Sequence, residues 1–138
     1  MAQNILVPID GSESSDRAVE YAVNLAQIYQ AKLNFLYVAN INQLAINAAL
    51  SDAILAAVKN AGQTILDRAA ELVPDGIECE SVQETGMPAV SILEFVRDRN
   101  IDMIVMGSRG LGIVEGVLLG SVSQYVMERA KCPVMIVK

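Results

Sequence analysis

Apolar positions change their period several times along the chain, and each change marks a new element. Residues 5–9 (Ile-Leu-Val-Pro-Ile) form a short apolar run rich in β-branched residues and closed by Asp10-Gly11, the pattern of a buried strand entering a turn. Ser12 follows as an N-cap, with Glu13 and Asp16 in the first turn, where negative charge suits the helix dipole. Ala18, Ala22, Leu25, Ala26 and Tyr29 then recur at helical spacing. Residues 32–38 read as a second strand. From residue 40 to about 72 the chain is rich in Ala, Leu and Ile. It predicts a loop or short helix, a fresh start capped by Ser51-Asp52, a main helix over 52–73, and a stop at Pro74-Asp75-Gly76. Residues 78–84 alternate charged, small and β-branched types, as a half-exposed edge strand does. Gly86-Met87-Pro88 opens a third helix with proline first, where its missing N–H costs nothing. Residues 101–106 form a fourth strand, apolar apart from Asp102. A glycine-rich segment over 107–120, a last helix over 121–130 and a fifth strand over 132–137 complete the chain.

Strand and helix alternate from end to end, which predicts a parallel sheet with helices on both faces and right-handed crossovers. The 138 residues suit a single domain with an ordinary core. The expected fold is one doubly wound α/β domain over 1–138, its five strands in the order 3-2-1-4-5, without linkers or internal repeats. Open sheets of this kind take ligands at the carboxyl ends of the strands, where the winding reverses. In that order the crevice lies between the loops after strands one and four, which are Asp10-Gly11-Ser12 and Gly107-Ser108-Arg109-Gly110.

Those loops also hold the least ordinary chemistry. Five of the nine glycines fall between Gly107 and Gly120, and glycine lets consecutive N–H groups converge on an anion. Gly120-Ser121 stands where the last helix begins, with Ser121 and Gln124 spaced as a capping box, and a helix start offers free N–H groups to phosphate. The bland alternative is a flexible connector ending in a cap. It loses weight because the segment follows a buried strand, ends on a helix and lies at the expected crevice. A Walker loop is excluded by the lack of Gly-Lys-Ser/Thr, and a dinucleotide fingerprint is weak after Asp10-Gly11-Ser12. Asp10 can accept from a ribose or base, can ligate a phosphate-bound Mg²⁺, or can simply form the turn.

Charge and composition narrow the function. Ten Lys and Arg against sixteen Asp and Glu leave a net charge of −6, with no basic cluster of the kind nucleic-acid binding needs. A polyphosphate would have to be held locally, against the sign of the whole molecule. No run of 18 apolar residues is free of charge, so no membrane span is expected. Residues 1–4 lack the basic start of a secretory signal, and the expected location is cytoplasmic.

The spaced glycines Gly107-x2-Gly110-x9-Gly120-Ser121, the opening Ile5-Leu6-Val7-Pro8-Ile9-Asp10-Gly11-Ser12 and the closing Cys132-Pro133-Val134-Met135-Ile136-Val137 resemble the universal stress protein family, in its ATP-binding branch. The likeness spans essentially the whole chain and says least over residues 40–50. It implies an adenine nucleotide alpha hydrolase-like fold that binds ATP or another adenine nucleotide with Mg²⁺. It implies Pro8, Ile9 and Asp10 beside the adenosine, Val38 near the adenine, and Met106, Gly107, Arg109 and Gly110 along the ribose and phosphates. Gly120, Ser121, Val122 and Ser123 would hold the phosphates. It also implies a homodimer through the last strand, and residues 134–137 independently predict an uncharged apolar edge that invites pairing.

Catalytic equipment is sparse. There is no His, so the usual general base near neutral pH is missing. Cys79 and Cys132 lack the partners of a nucleophile, a redox pair or a zinc site. The best reading is therefore an ATP-binding regulatory or stress-response module without catalytic residues. The alternatives are a slow Mg-dependent ATPase or nucleotidyl-transfer enzyme using Asp10 and Arg109, and a purely structural dimer.

Overall fold

A computed structural model of the chain describes residues 3–40, 48–110 and 119–138. In chain order these form β1 (Asn4–Pro8), α1 (Glu13–Tyr29), β2 (Lys32–Asn40), α2 (Ala48–Glu71), β3 (Cys79–Gly86), α3 (Pro88–Asp98), β4 (Met103–Gly107), α4 (Ser121–Arg129) and β5 (Val134–Val137). The sheet runs β3-β2-β1-β4-β5, and every pairing is parallel. The expected fold and strand order are those observed.

Successive side chains of a strand face opposite sides of the sheet, and the core divides accordingly. Ile5 and Val7 face Ala18, Val19, Ala22 and Ala26 of α1 and Leu66 and Ala69 of α2. Leu6 faces the other way and joins Leu36, Ile104 and Met106 against Ile92 and Phe95 of α3 and Val126 of α4. Ile5, Leu6 and Val7 are all fully buried, as befits a central strand whose two faces are both covered. The small side chains of α1 let it lie close to the sheet.

Several boundaries differ from the sequence pattern, among them the starts of α2, β4 and β5. The helix expected from residue 52 starts at Ala48, so Ser51 lies inside α2 and not before its start. Residues 41–47, part of the loop or short helix expected before it, lie outside the described residues. β4 begins at Met103; just before it, Asp102 donates its N–H to Asn4 O at 2.9 Å while its carboxylate accepts from the backbone N–H groups of Gln3 at 2.9 Å and Asn4 at 2.8 Å. β5 begins at Val134, two residues late. Cys132 stands outside the ladder, while the carbonyl of Pro133 accepts from Ile104 N–H at 3.0 Å.

The outer strand β3 carries charge where an exposed edge would otherwise invite pairing. Glu80 accepts from Lys32 at 3.0 Å and from Arg99 at 3.1 Å. Among the described residues, no helix is long and apolar enough to cross a membrane.

Candidate functional site

At the carboxyl end of β1 the chain leaves the sheet through Ile9, whose N–H still donates to the carbonyl of Leu36 at 2.9 Å. The Ile9 side chain is buried on the α1/α2 side, so it faces the crevice with its backbone alone. Asp10 then turns the chain. Its Oδ1 accepts from Ser12 N–H at 2.9 Å, and its own N–H donates to Ser15 Oγ at 3.2 Å. Gly11 takes φ 84°, a conformation that favours glycine. Ser12 caps α1 as expected, accepting from Ser15 N–H at 3.3 Å.

β4 ends beside this turn. A Cβ on Gly107 would lie 2.8 Å from the carbonyl carbon of Ser14 and from Ser15 N, so only glycine lets β4 pass so close to the start of α1. Ser108 donates its N–H to Val137 O at 2.7 Å. The carbonyl of Arg109 accepts from Ser14 Oγ at 2.6 Å and from Ser12 Oγ at 3.3 Å, and Arg109 N–H donates back to Ser14 Oγ at 3.4 Å. Gly110 then faces Asp10, because a Cβ there would stand 2.7 Å from Asp10 Oδ2.

The glycine segment rejoins the site at α4. Gly120 N–H donates to Ser108 O at 2.6 Å, and Ser123 Oγ donates to Gly107 O at 2.7 Å. These two bonds draw the start of α4 onto the end of β4. Gly120 is the N-cap and no side chain caps the helix. The expected capping box is therefore absent: Ser121 is the first helical residue, and the Gln124 amide instead reaches Glu128 at 3.2 Å. The first N–H groups of a helix have no carbonyl four residues back, so Ser121, Val122 and Ser123 present their amides at this end. Leu111, Gly112 and Gly116 lie outside the described residues.

Val38 ends on the α3/α4 side of the sheet together with Met106 and Val122, an apolar group at the carboxyl end of the strands. Tyr37, its neighbour on β2, has its phenol raised above the ordinary value, first by burial and second by the negative charge of Asp10. No group of three or more His, Cys, Asp or Glu side chains suited to a metal occurs among the described residues. Asp10 fits the other mode, in which Mg²⁺ takes one or two carboxylates and leaves its remaining positions to water and phosphate.

The structure brings Asp10, Gly107, Arg109, Gly110, Gly120 and Ser123 into one bonded arrangement, with Pro8, Ile9 and Met106 on the strands that lead into it. Sequence reading missed Ser14 and Ser15, which are 5% and 4% exposed. The signal available was a cluster of three hydroxyls, Ser12, Ser14 and Ser15, at the start of a helix whose first turn meets the sheet.

A doubly wound α/β domain with its strands in the order β3-β2-β1-β4-β5 has the adenine nucleotide alpha hydrolase-like fold. The chain belongs to the universal stress protein family, whose profile matches residues 1–138. It is 35% identical over 149 residues to the universal stress protein YxiE of Bacillus subtilis (strain 168), covering all of both chains. It is similar in structure to the universal stress protein UspA from Lactobacillus plantarum, with a TM-score of 0.79, 29% identity and coverage of 99% of this chain and 98% of that one. A universal stress protein solved in complex with cAMP is 30% identical, with a TM-score of 0.69 and coverage of 99% and 96%.

Proposed function

We propose that the protein is a cytoplasmic regulatory module that binds ATP or another adenine nucleotide and signals its occupancy through a homodimer. The observation that carries this reading is the convergence of Gly110, the first turn of α4 and Asp10 at the ends of β1 and β4. A relative solved with cAMP supports adenine as the base. In this reading Val38, Met106 and the backbone of Pro8 and Ile9 receive the adenosine, and Asp10 accepts from the ribose or holds Mg²⁺. Gly107, Arg109 and Gly110 line the ribose and phosphates, and the amides of Gly120, Ser121, Val122 and Ser123 surround the phosphates. The Gly120 amide and the Ser123 hydroxyl already donate within the protein, so the free donors are the amides of Ser121, Val122 and Ser123 and the exposed hydroxyl of Ser121.

Mg²⁺, when bound, would neutralise phosphate charge beside Asp10. The sequence carries no His, the usual general base near neutral pH, which supports binding over turnover.

The test is mass analysis of small molecules carried through purification, followed by calorimetric titration with ATP, ADP, AMP and cAMP. The reading expects saturable binding of an adenine nucleotide with hydrolysis near background. Absence of binding, or rapid steady turnover, overturns it.

A further inference from the structure

Arg109 is tied to the start of α1 by three hydrogen bonds of its main chain. Its carbonyl accepts from two serine hydroxyls of the α1 start, at 2.6 and 3.3 Å, and its N–H donates to one of the same hydroxyls at 3.4 Å. Ser14 is therefore donor and acceptor to a single residue. The arrangement is buried on the serine side, since Ser12 and Ser14 are 6% and 5% exposed, so water does not compete for these groups.

A trans peptide is planar, and its C=O and N–H point in opposite directions. Drawing the Arg109 carbonyl onto α1 therefore turns the N–H of the same peptide, which belongs to Gly110, away from α1. The atom lies on the α4 side: Gly110 N is 3.6 Å from the position a Cβ on Gly120 would take. With the peptide reversed, a carbonyl oxygen would face the same space and repel an anion.

We propose that Ser14, assisted by Ser12, is a positioning residue that locks the Arg109–Gly110 peptide in its anion-accepting orientation and so adds the Gly110 amide to the donors at the start of α4. This inference rests on the nucleotide reading above for its ligand, and it goes beyond that reading by assigning phosphate recognition to a side chain that touches no ligand. The lock acts on phosphate and leaves the base alone. Loss of the Ser14 hydroxyl should therefore weaken ligands in proportion to their phosphate contacts.

The experiment compares the native protein with Ser14→Ala in titrations with ATP, inorganic tripolyphosphate and adenosine, alongside ¹H–¹⁵N spectra of the free proteins. The expected result is about a tenfold loss of ATP and tripolyphosphate affinity, the order of one hydrogen bond. Adenosine affinity should be unchanged, and the shifts of free Ser14→Ala should move at the Arg109 and Gly110 amides. Ser14→Cys keeps the volume but donates weakly, should show the same split at smaller amplitude, and replaces the alanine variant if that one does not fold. Equal losses for ATP and adenosine, or no loss for either anion, overturn the proposal. Native protein that binds tripolyphosphate but not ATP removes the nucleotide reading and leaves the lock standing. Native protein that binds neither removes both.

Discussion

Ser108 shows how local accounting bears on this site. Its Oγ is the buried side-chain atom without a hydrogen-bond partner among the described residues, and the residue is 2% exposed. An unsatisfied buried hydroxyl costs about 1–3 kcal/mol. Its backbone is fully used, donating to Val137 and accepting from Gly120, so the residue is needed for its main chain and not its side chain. Ser108→Ala should raise stability by up to about that amount, read as a higher denaturant midpoint with unchanged slope. A drop in stability would show that the hydroxyl finds a partner in solution.

At the scale of elements, packing overrides intrinsic preference in α2. Replacing an interior helical glycine by alanine normally gains up to about 1 kcal/mol. At Gly62, however, a Cβ would strike the ring of Tyr37 and stand 2.6 Å from Gln83 Nε2, and overpacking costs about 1–3 kcal/mol. Gly62→Ala should therefore destabilise the protein on balance, which thermal unfolding would reveal. On β3, Glu80 is held below the usual carboxyl range, first by its hydrogen bond from Lys32 and then by that from Arg99. A lowered folded value means that the contribution is present above the unfolded value, roughly 4.3, and disappears as pH falls through the folded one. The side chain is 42% exposed, so the contribution is below about 1 kcal/mol. Glu80→Gln should be slightly less stable than the native protein near neutral pH and indistinguishable from it in strong acid, in urea titrations at both pH values.

The elements were legible because hydrophobic period reports what each side chain buries. Their ends were less so, because ends depend on partners distant in sequence. The carboxylate of Asp102 takes the amides of Gln3 and Asn4, and nothing near Asp102 in sequence announces this. The glycine positions of the candidate site were legible from their spacing. Ser14 was not, because a small polar residue in a first helical turn looks the same whether it faces water or clasps a loop. Gly120 displaced Ser121 from the cap because its N–H is already tied to Ser108.

For the whole molecule, the open edge at β5 is the surface on which the proposed dimer depends. The carbonyls of Pro133 and Val137 point to β4, so by alternation the backbone groups of Val134 and Ile136 point outward. A proline at an outward position removes an external donor and spares the ladder within the sheet. Ile136→Pro should leave the circular dichroism spectrum intact and convert a dimer to a monomer in sedimentation equilibrium. An unchanged mass would place the pairing surface elsewhere.

Main-chain amides, unlike lysines, give a polyanion no long-range attraction, and this molecule carries a net charge of −6. An approaching triphosphate feels the net repulsion once it comes within a Debye length, about 10 Å at 0.1 M salt. Added salt should therefore speed the capture of ATP in stopped-flow experiments, the reverse of the usual behaviour of electrostatically steered ligands. A rate that instead fell with ionic strength would reveal a local field strong enough to outweigh the global one, with Arg109 as its source. The occupancy of such a module would then follow the ionic state of its surroundings as well as the supply of its ligand.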